Sequence, residues 1–219
     1  MKKFVLLISL VHLLLAFSSA RKTPNQLLQA VRDTNGDILR TDARYFVVED
    51  PTLKAGGGVT RGPWFEAEEG AGGNAKFVCP FQVVQSPLDA DKGVPVFFKP
   101  KAPKQVEITE SIPLNIRFYN PTTICNNTVW EVEGYPGTFE SPTFLSTNGV
   151  TGNPSTWFQI KKFNEELNAY MFVFCPTKET CSEIVINYFD GQRRLTARLG
   201  SRFPVVFIKD TRYGINSII

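Results

Sequence analysis

Three lysines and two prolines fall within eight residues, Lys99-Pro100-Lys101-Ala102-Pro103-Lys104-Gln105-Val106. Each proline holds φ at about −65° and offers no backbone N–H, so the stretch is extended and stiff rather than floppy. It joins two apolar β-type runs and therefore lies on the surface. A stiff, exposed, basic segment has the chemistry of a substrate for a protease with an acidic primary pocket. The plain alternative is a soluble Pro/Lys connector.

What the chain lacks narrows the chemistry further. The only histidine of the 219 residues is His12. It lies in Met1–Ala20, which reads as a secretory signal: Lys2 and Lys3, the apolar run Phe4–Phe17, then Ser18-Ser19-Ala20 before a cleavage point. That run is too short to span a bilayer as a helix. The expected mature chain, 21–219, then has no histidine for a Ser-His-Asp triad, a Cys-His pair or an imidazole-bound zinc. It is expected not to be an enzyme and to need no cofactor or metal. Losing Lys2 and Lys3 leaves 22 basic against 21 acidic side chains, so neither nucleic acid nor an anionic membrane is an expected partner.

Several other clusters have simpler readings. Asp33, Asn35 and Asp37 mimic the start of a calcium loop, but Ile38 and Arg44 stand where such a loop needs Gly and Glu, so a turn is expected. Gly56-Gly57-Gly58 lacks the Lys-Ser/Thr of a phosphate cradle. Arg193, Arg194, Arg198 and Arg202 suggest a sulfated-sugar patch, with a solvated strand face preferred. Glu68-Glu69 and Glu165-Glu166 read as surface charge. Asn126-Asn127-Thr128 is a usable glycosylation sequon, whereas Asn120-Pro121-Thr122 and Asn153-Pro154-Ser155 are blocked by proline.

The four cysteines, Cys79, Cys125, Cys175 and Cys181, all lie in the exported part, where disulfides persist. Three pairings are open. The five residues with Pro176 between Cys175 and Cys181 suit a hairpin staple, which leaves Cys79 for Cys125. Loop-closure entropy makes the larger ring worth roughly 4 kcal/mol and the smaller about 2.4 kcal/mol.

The elements that position these residues are strands. Phe is abundant at 18 residues, and 16 Gly and 15 Pro are spread along the chain rather than pooled, which describes short strands between frequent turns. Strands are expected at Tyr45–Val48, Phe77–Val84, Val94–Phe98, Gln105–Thr109, Leu114–Phe118, Val129–Val132, Trp157–Phe163, Tyr170–Phe174, Glu183–Phe189, Leu195–Leu199 and Val205–Lys209. Arg21–Ala30 reads as a loose leader and Gly62–Gly73 as a mobile insertion. No segment keeps helical spacing for three turns, so the class is all-β. Asn35-Gly36, Asn148-Gly149 and Asp190-Gly191 are turn dipeptides compatible with three related lobes.

An ordered series of motifs resembles the plant Kunitz family, the soybean trypsin inhibitor and miraculin-like type. It begins with Val31-x-Asp33-x-Asn35-Gly36-Asp37-x-Leu39 and Tyr45-x-Val47, and passes through Cys79-Pro80, Val83-Val84-Gln85-Ser86 and Asp91-Lys92-Gly93. It continues through Pro113-Leu114-Asn115-Ile116, Trp130, Gly149-Val150-x-Gly152-Asn153-Pro154 and Trp157-Phe158-x-Ile160. Val173-Phe174-Cys175-Pro176 and Arg193-Arg194-Leu195 complete it. The resemblance implies one β-trefoil domain of three pseudo-repeated lobes, with the first two and the last two cysteines paired. It implies a secreted or vacuolar monomer that inhibits a trypsin-like serine protease through one exposed loop. Lys104 then falls at P1 and Gln105 at P1′, with Lys101, Ala102, Pro103 and Val106 as the rest of the loop.

Chemistry favours the same lysine. Pro100 would sit at P1′ of Lys99, and Pro103 at P2′ of Lys101, whereas Lys104 is followed by two free amides. Three departures from the family pattern stand out: Thr41 where the family has a loop-supporting Asn, a loop one residue longer, and the Gly62–Gly73 insertion. A non-inhibitory binding or storage trefoil is the alternative reading, as is inhibition of a cysteine or aspartic protease through another surface. Against a sugar-binding version, no Gln-x-Trp repeat occurs.

Overall fold

The computed structural model describes residues 29–53, 56–66, 76–119, 125–136 and 142–212. The expected signal and all of the expected leader but its end lie outside them. Thirteen strands follow one another. They are β1 (Tyr45–Glu49), β2 (Val59–Glu66), β3 (Lys76–Gln85), β4 (Val96–Pro100), β5 (Leu114–Phe118), β6 (Glu131–Val132) and β7 (Thr143–Ser146). After a 3-10 turn at Pro154–Thr156 come β8 (Phe158–Asn164), β9 (Ala169–Phe174), β10 (Ser182–Phe189), β11 (Gln192–Ala197), β12 (Ser201–Arg202) and β13 (Val205–Lys209). The class is all-β, and every strand pairing is antiparallel.

Six strands close on themselves in the order β13-β1-β4-β5-β8-β9, because β9 returns to pair β13 at Tyr170↔Val205. Closure removes the exposed edges that an open sheet would offer to other chains. The remaining strands cap this barrel. Hairpins β2–β3, β6–β7 and β10–β11 each pair internally, and β3, β7 and β11 also pair with one another.

Inward alternation fills the barrel with rings. Phe98 meets Phe207 edge-on at 5.5 Å between centroids, and Trp130 packs on Phe118 at 5.3 Å and on Phe172 at 5.8 Å. All five are at most 1% exposed. Each such burial stabilises by about 1.5–3 kcal/mol. The seam between β1 and the end of β13 is closed by a buried ion pair, Arg44 Nη2 to Asp210 Oδ2 at 3.1 Å, with the guanidinium 3.8 Å above the Tyr119 ring. Both expected disulfides are present, Cys79–Cys125 and Cys175–Cys181.

Several sequence expectations need correction. The first part of the Gly62–Gly73 segment is strand, since β2 runs to Glu66 paired with Lys76, and a register break between Gly62 and Trp64 accommodates Pro63. Glycine content suggested mobility there, but flanking β-formers and a partner strand prevail. The rest of that segment lies outside the described residues, as does Glu68-Glu69. Gln105–Thr109 is not a strand; it makes isolated bridges, Glu107 with Arg40 and Thr109 with Ala30. Of Val129–Val132, only Glu131–Val132 is strand, and Val129 bridges Arg117. β11 stops at Ala197 because Arg198 and Leu199 take φ of 77° and 56°.

The arginine face also differs from expectation. Arg194 is 3% exposed, lies 3.8 Å over the Phe144 ring and comes within 3.7 Å of Glu133. Arg193 donates to Gln85 Oε1 at 2.6 Å. These two serve the cap interior rather than a solvated face, and only Arg198 and Arg202 are exposed. The Asp33, Asn35 and Asp37 cluster is a turn: Asp33 Oδ1 accepts from the amides of Asn35 at 2.9 Å and Asp37 at 3.0 Å.

Candidate functional site

The basic loop springs from β4 and returns into β5, two strands locked by the register Lys99↔Asn115 and Pro100↔Leu114. Burial of Val96, Phe98 and Pro100 on one face of β4 leaves Lys99 pointing outward. One further bond, Lys101 N to Pro113 O at 2.8 Å, closes the neck. Beyond the neck Lys101, Ala102, Pro103 and Lys104 are all exposed. Lys101 rests its ammonium 5.1 Å from the Trp157 ring centroid.

The apex is a turn. Gln105 N donates to Ala102 O at 3.1 Å, placing Pro103 and Lys104 at its two central positions. Proline's fixed φ suits the first of these. Lys104 makes no hydrogen bond or ion pair among the described residues, so its ammonium is free to meet a partner.

The descending limb is braced from below. The Gln105 side-chain amide donates to Glu107 O at 2.8 Å and to Thr109 Oγ1 at 2.9 Å. Val106, 44% exposed, accepts through its carbonyl from Thr41 N at 2.9 Å. Ile108 is fully buried and joins the N-terminal segment twice: its amide donates to Leu39 O at 2.8 Å and its carbonyl accepts from Val31 N at 2.9 Å. The Asp33-centred turn thus folds the N-terminal segment back so that Val31, Leu39 and Thr41 all reach the loop.

Thr41 supports the loop through its backbone alone; its hydroxyl bonds nothing among the described residues. The threonine instead borders a cavity of about 210 Å³ beneath the apex, lined also by Pro103, Gln105, Asn115 and Trp157. Asn115 does not reach upward, because its Nδ2 is held by Thr156 O at 2.8 Å and Thr156 Oγ1 at 2.9 Å. The upper loop therefore rests on the turn bond and on the lysine over tryptophan.

The Cys79–Cys125 bridge spans 46 residues and encloses Lys104-Gln105. Asn126 follows directly and is exposed, although Cys125 itself is 3% exposed. The structure thus brings Thr41, Lys101, Ala102, Pro103, Lys104, Gln105 and Val106 together, with Asn126 at the end of the enclosing ring. The remaining two cysteines staple the β9–β10 connection. Trp157, Thr109 and the Val31 and Leu39 backbone also serve the loop. Sequence reasoning passed over them, since Trp157 is an ordinary core residue by pattern and Thr109 reads as a strand end. No group of three or more potential metal ligands occurs among the described residues.

Against known proteins, the family model for Kunitz legume trypsin and protease inhibitors matches residues 31–209. Miraculin of Synsepalum dulcificum is 35% identical over 193 residues, covering 81% of this chain and 80% of miraculin. Kunitz trypsin inhibitor 5 of Arabidopsis thaliana is 34% identical over 199 residues, covering 84% of this chain and 89% of that protein. Among solved structures, soybean trypsin inhibitor bound to porcine pancreatic trypsin superposes with a TM-score of 0.64 at 28% identity, over 83% of this chain and 99% of that one. The Kunitz trypsin-inhibitor neighbours are β-trefoils.

Proposed function

Because the chain belongs to the Kunitz family of plant trypsin and protease inhibitors, whose members are not enzymes, we propose that it is a secreted inhibitor of a trypsin-like serine protease with Lys104 at P1 and Gln105 at P1′. The observation that carries this reading is the exposed, unpartnered Lys104 at the apex of a loop whose neck and descending limb are both tied down. The lysine ammonium meets the acidic base of the protease's primary pocket. Ala102 and Pro103 supply the upstream contacts and Val106 the downstream one.

The inhibitory principle is preorganisation. A free peptide loses ordering entropy on binding and leaves once cut, whereas a braced loop loses less and stays. Proteases hold substrates as extended strands, so the Gln105 N to Ala102 O bond opens on docking. A single backbone hydrogen bond is worth about 1 kcal/mol net, roughly fivefold in affinity. That is small against the micromolar-to-picomolar span available to an interface of about 1,600 Å². The Cys79–Cys125 ring keeps a nicked loop together, so the cut bond can re-form.

The rest of the reading rests on the chain's own residues and charge together with the family. Residues 1–20 act as a cleaved signal, 21–219 form one domain, and the protein works as a monomer outside the cell or in a vacuole, without nucleic acid, membrane or cofactor. The closed six-strand ring capped by three mutually paired hairpins supports three pseudo-repeated lobes. One observation favours the non-inhibitory alternative: the cavity of about 210 Å³ under the apex, where Thr41 offers no side-chain support. Titration of trypsin with the mature protein separates the two. Tight one-to-one inhibition, lost in Lys104→Ala and kept in Lys101→Ala, is the expected outcome. Rapid, complete digestion of the wild-type chain by trypsin overturns the inhibitory reading.

A further inference from the structure

We infer that Asn126 carries an N-linked glycan rooted in the wall of a groove shared with the Lys104 loop, and that this glycan slows the approach of a protease to that loop. The second half rests on the inhibitory reading of the loop; the first does not.

The acceptor is intact and accessible. Asn126 is exposed, Thr128 supplies the hydroxyl at the third position, and Asn127 between them is not proline. The transfer balances simply: Asn126 Nδ2 attacks the anomeric carbon of a lipid-pyrophosphate-linked oligosaccharide. The C–N bond forms, the bond to the pyrophosphate breaks, and one amide proton is released. That donor belongs to the secretory route on which disulfides also form.

The root is held rather than loose. On one side Cys125 is buried and bonded to Cys79. On the other, Thr128 O accepts from Phe118 N at 3.0 Å, Val129 bridges Arg117, and Val129 N donates to Asn127 Oδ1 at 3.3 Å. The sequon therefore lies along the far end of β5, the strand into which the loop descends. From Leu114 at the neck to Arg117 is three residues, about 10 Å of strand.

A groove of about 500 Å³ links the two places. Asn126, Thr128 and Arg117 line it together with Thr41, Lys99 and Thr151. The last three also border the cavity beneath the loop apex. A protease seated on Lys104 claims about 800 Å² of this surface, a disc of roughly 16 Å radius. Because Thr41, Lys99 and Thr151 border both the groove and the cavity beneath the apex, the rim of that disc reaches the groove. A bulky solvated group at a rim hinders encounter more than it weakens the docked contact, so the effect belongs to the association rate.

The test uses the full chain with its own leader, secreted from plant or insect cells, as wild type, Asn126→Gln and Thr128→Ala. Peptide-N-glycosidase A, which also cleaves the core-fucosylated glycans of plant and insect cells, is expected to remove about 1–2 kDa from the denatured wild type and to leave both variants unchanged. Stopped-flow mixing with trypsin is expected to show association about 3- to 10-fold slower for the glycosylated protein than for either variant, with dissociation unaltered. Should trypsin cut the loop instead of being held, the rate of cleavage after Lys104 gives the same comparison, so failure of the inhibitory reading is seen separately. A wild-type mass that the glycosidase leaves untouched overturns the site. A mass loss with equal rates in all three proteins overturns the link to the loop.

Discussion

Replacing Thr109 with Val isolates the brace under the loop while leaving Lys104 and Gln105 themselves unchanged. Thr109 lies four residues below Gln105, and its hydroxyl accepts one of the two hydrogen bonds that fix the Gln105 side chain, at 2.9 Å. The other, to Glu107 O at 2.8 Å, survives the change. Valine keeps the branched shape and the strand preference, so the Ala30 bridge to Thr109 has no reason to break. One neutral hydrogen bond contributes about 0.5–1.5 kcal/mol net, and the freed Gln105 amide can turn to water, which puts the loss at about 0.5–1 kcal/mol. If the brace acts by stiffening the free loop, that loss reappears as ordering cost on binding, a rise of about 2- to 5-fold in the trypsin inhibition constant. Thermal unfolding is expected to fall by no more than about 4 °C. Slow-binding kinetics with trypsin, read beside the cleavage rate after Lys104, measures both consequences. An inhibition constant and a cleavage rate equal to wild type, in a protein whose melting point has nonetheless dropped, would show that the Gln105 brace serves the fold and not the loop, and would refute preorganisation from below.

Three further outcomes follow from the same geometry. Thr41→Asn places an amide donor in the cavity of about 210 Å³ under Pro103 and Gln105, and one new hydrogen bond of about 1 kcal/mol should tighten trypsin inhibition about fivefold, measured by titration. Asp210→Asn removes the charge facing buried Arg44 and is expected to cost about 3–5 kcal/mol in urea unfolding, with Lys104 reactivity unchanged. Burial holds the carboxyls of Glu110 and Glu131 above their ordinary value of 4.5, against the opposing pull of Lys162 and Ser155 respectively. A raised folded value means that their contribution is fully present below 4.5 and drains away as pH climbs through the raised values. Denaturant midpoints between pH 4 and 7 should therefore fall less with rising pH in Glu110→Gln/Glu131→Gln than in wild type; parallel curves would contradict the burial cause.

How much of this was legible in the sequence depends on whether a feature is local. Leu114-Asn115-Ile116-Arg117-Phe118 alternates, and β5 is where the alternation puts it; the one anomaly, buried Asn115, comes from Thr156, 41 positions away. Asp190-Gly191 predicts a two-residue hairpin turn, and both residues take positive φ, 50° and 72°, between Phe189 and its partner Gln192. Arg193 and Arg194 were misread because strand charge normally faces water; here Glu49 of β1, Glu133 in the turn after β6 and Phe144 of β7 arrive to receive it. The segment 105–109 was misread as strand for a related reason. Its alternating apolar residues are real, yet its partner is an irregular N-terminal stretch that meets it in two separate pieces, around Ala30–Val31 and around Leu39–Thr41, instead of as one continuous strand.

The candidate loop shows the same division within eight residues. Side-chain identity alone singles out Lys104 among three lysines, through the positions of Pro100 and Pro103. What holds that lysine in place, however, is mostly main chain: Pro113, Ala102 and Thr41 contribute carbonyl or amide, and their side chains are incidental to those bonds. A backbone bond survives substitution of its residue, so a threonine in place of asparagine at position 41 leaves the tie to Val106 intact while leaving open the space above it. The loop is consequently firm along its descending limb and light at its apex. Changes at Thr41, Gln105 and Thr109 should move inhibition by single-digit factors, whereas loss of Lys104 should remove it altogether.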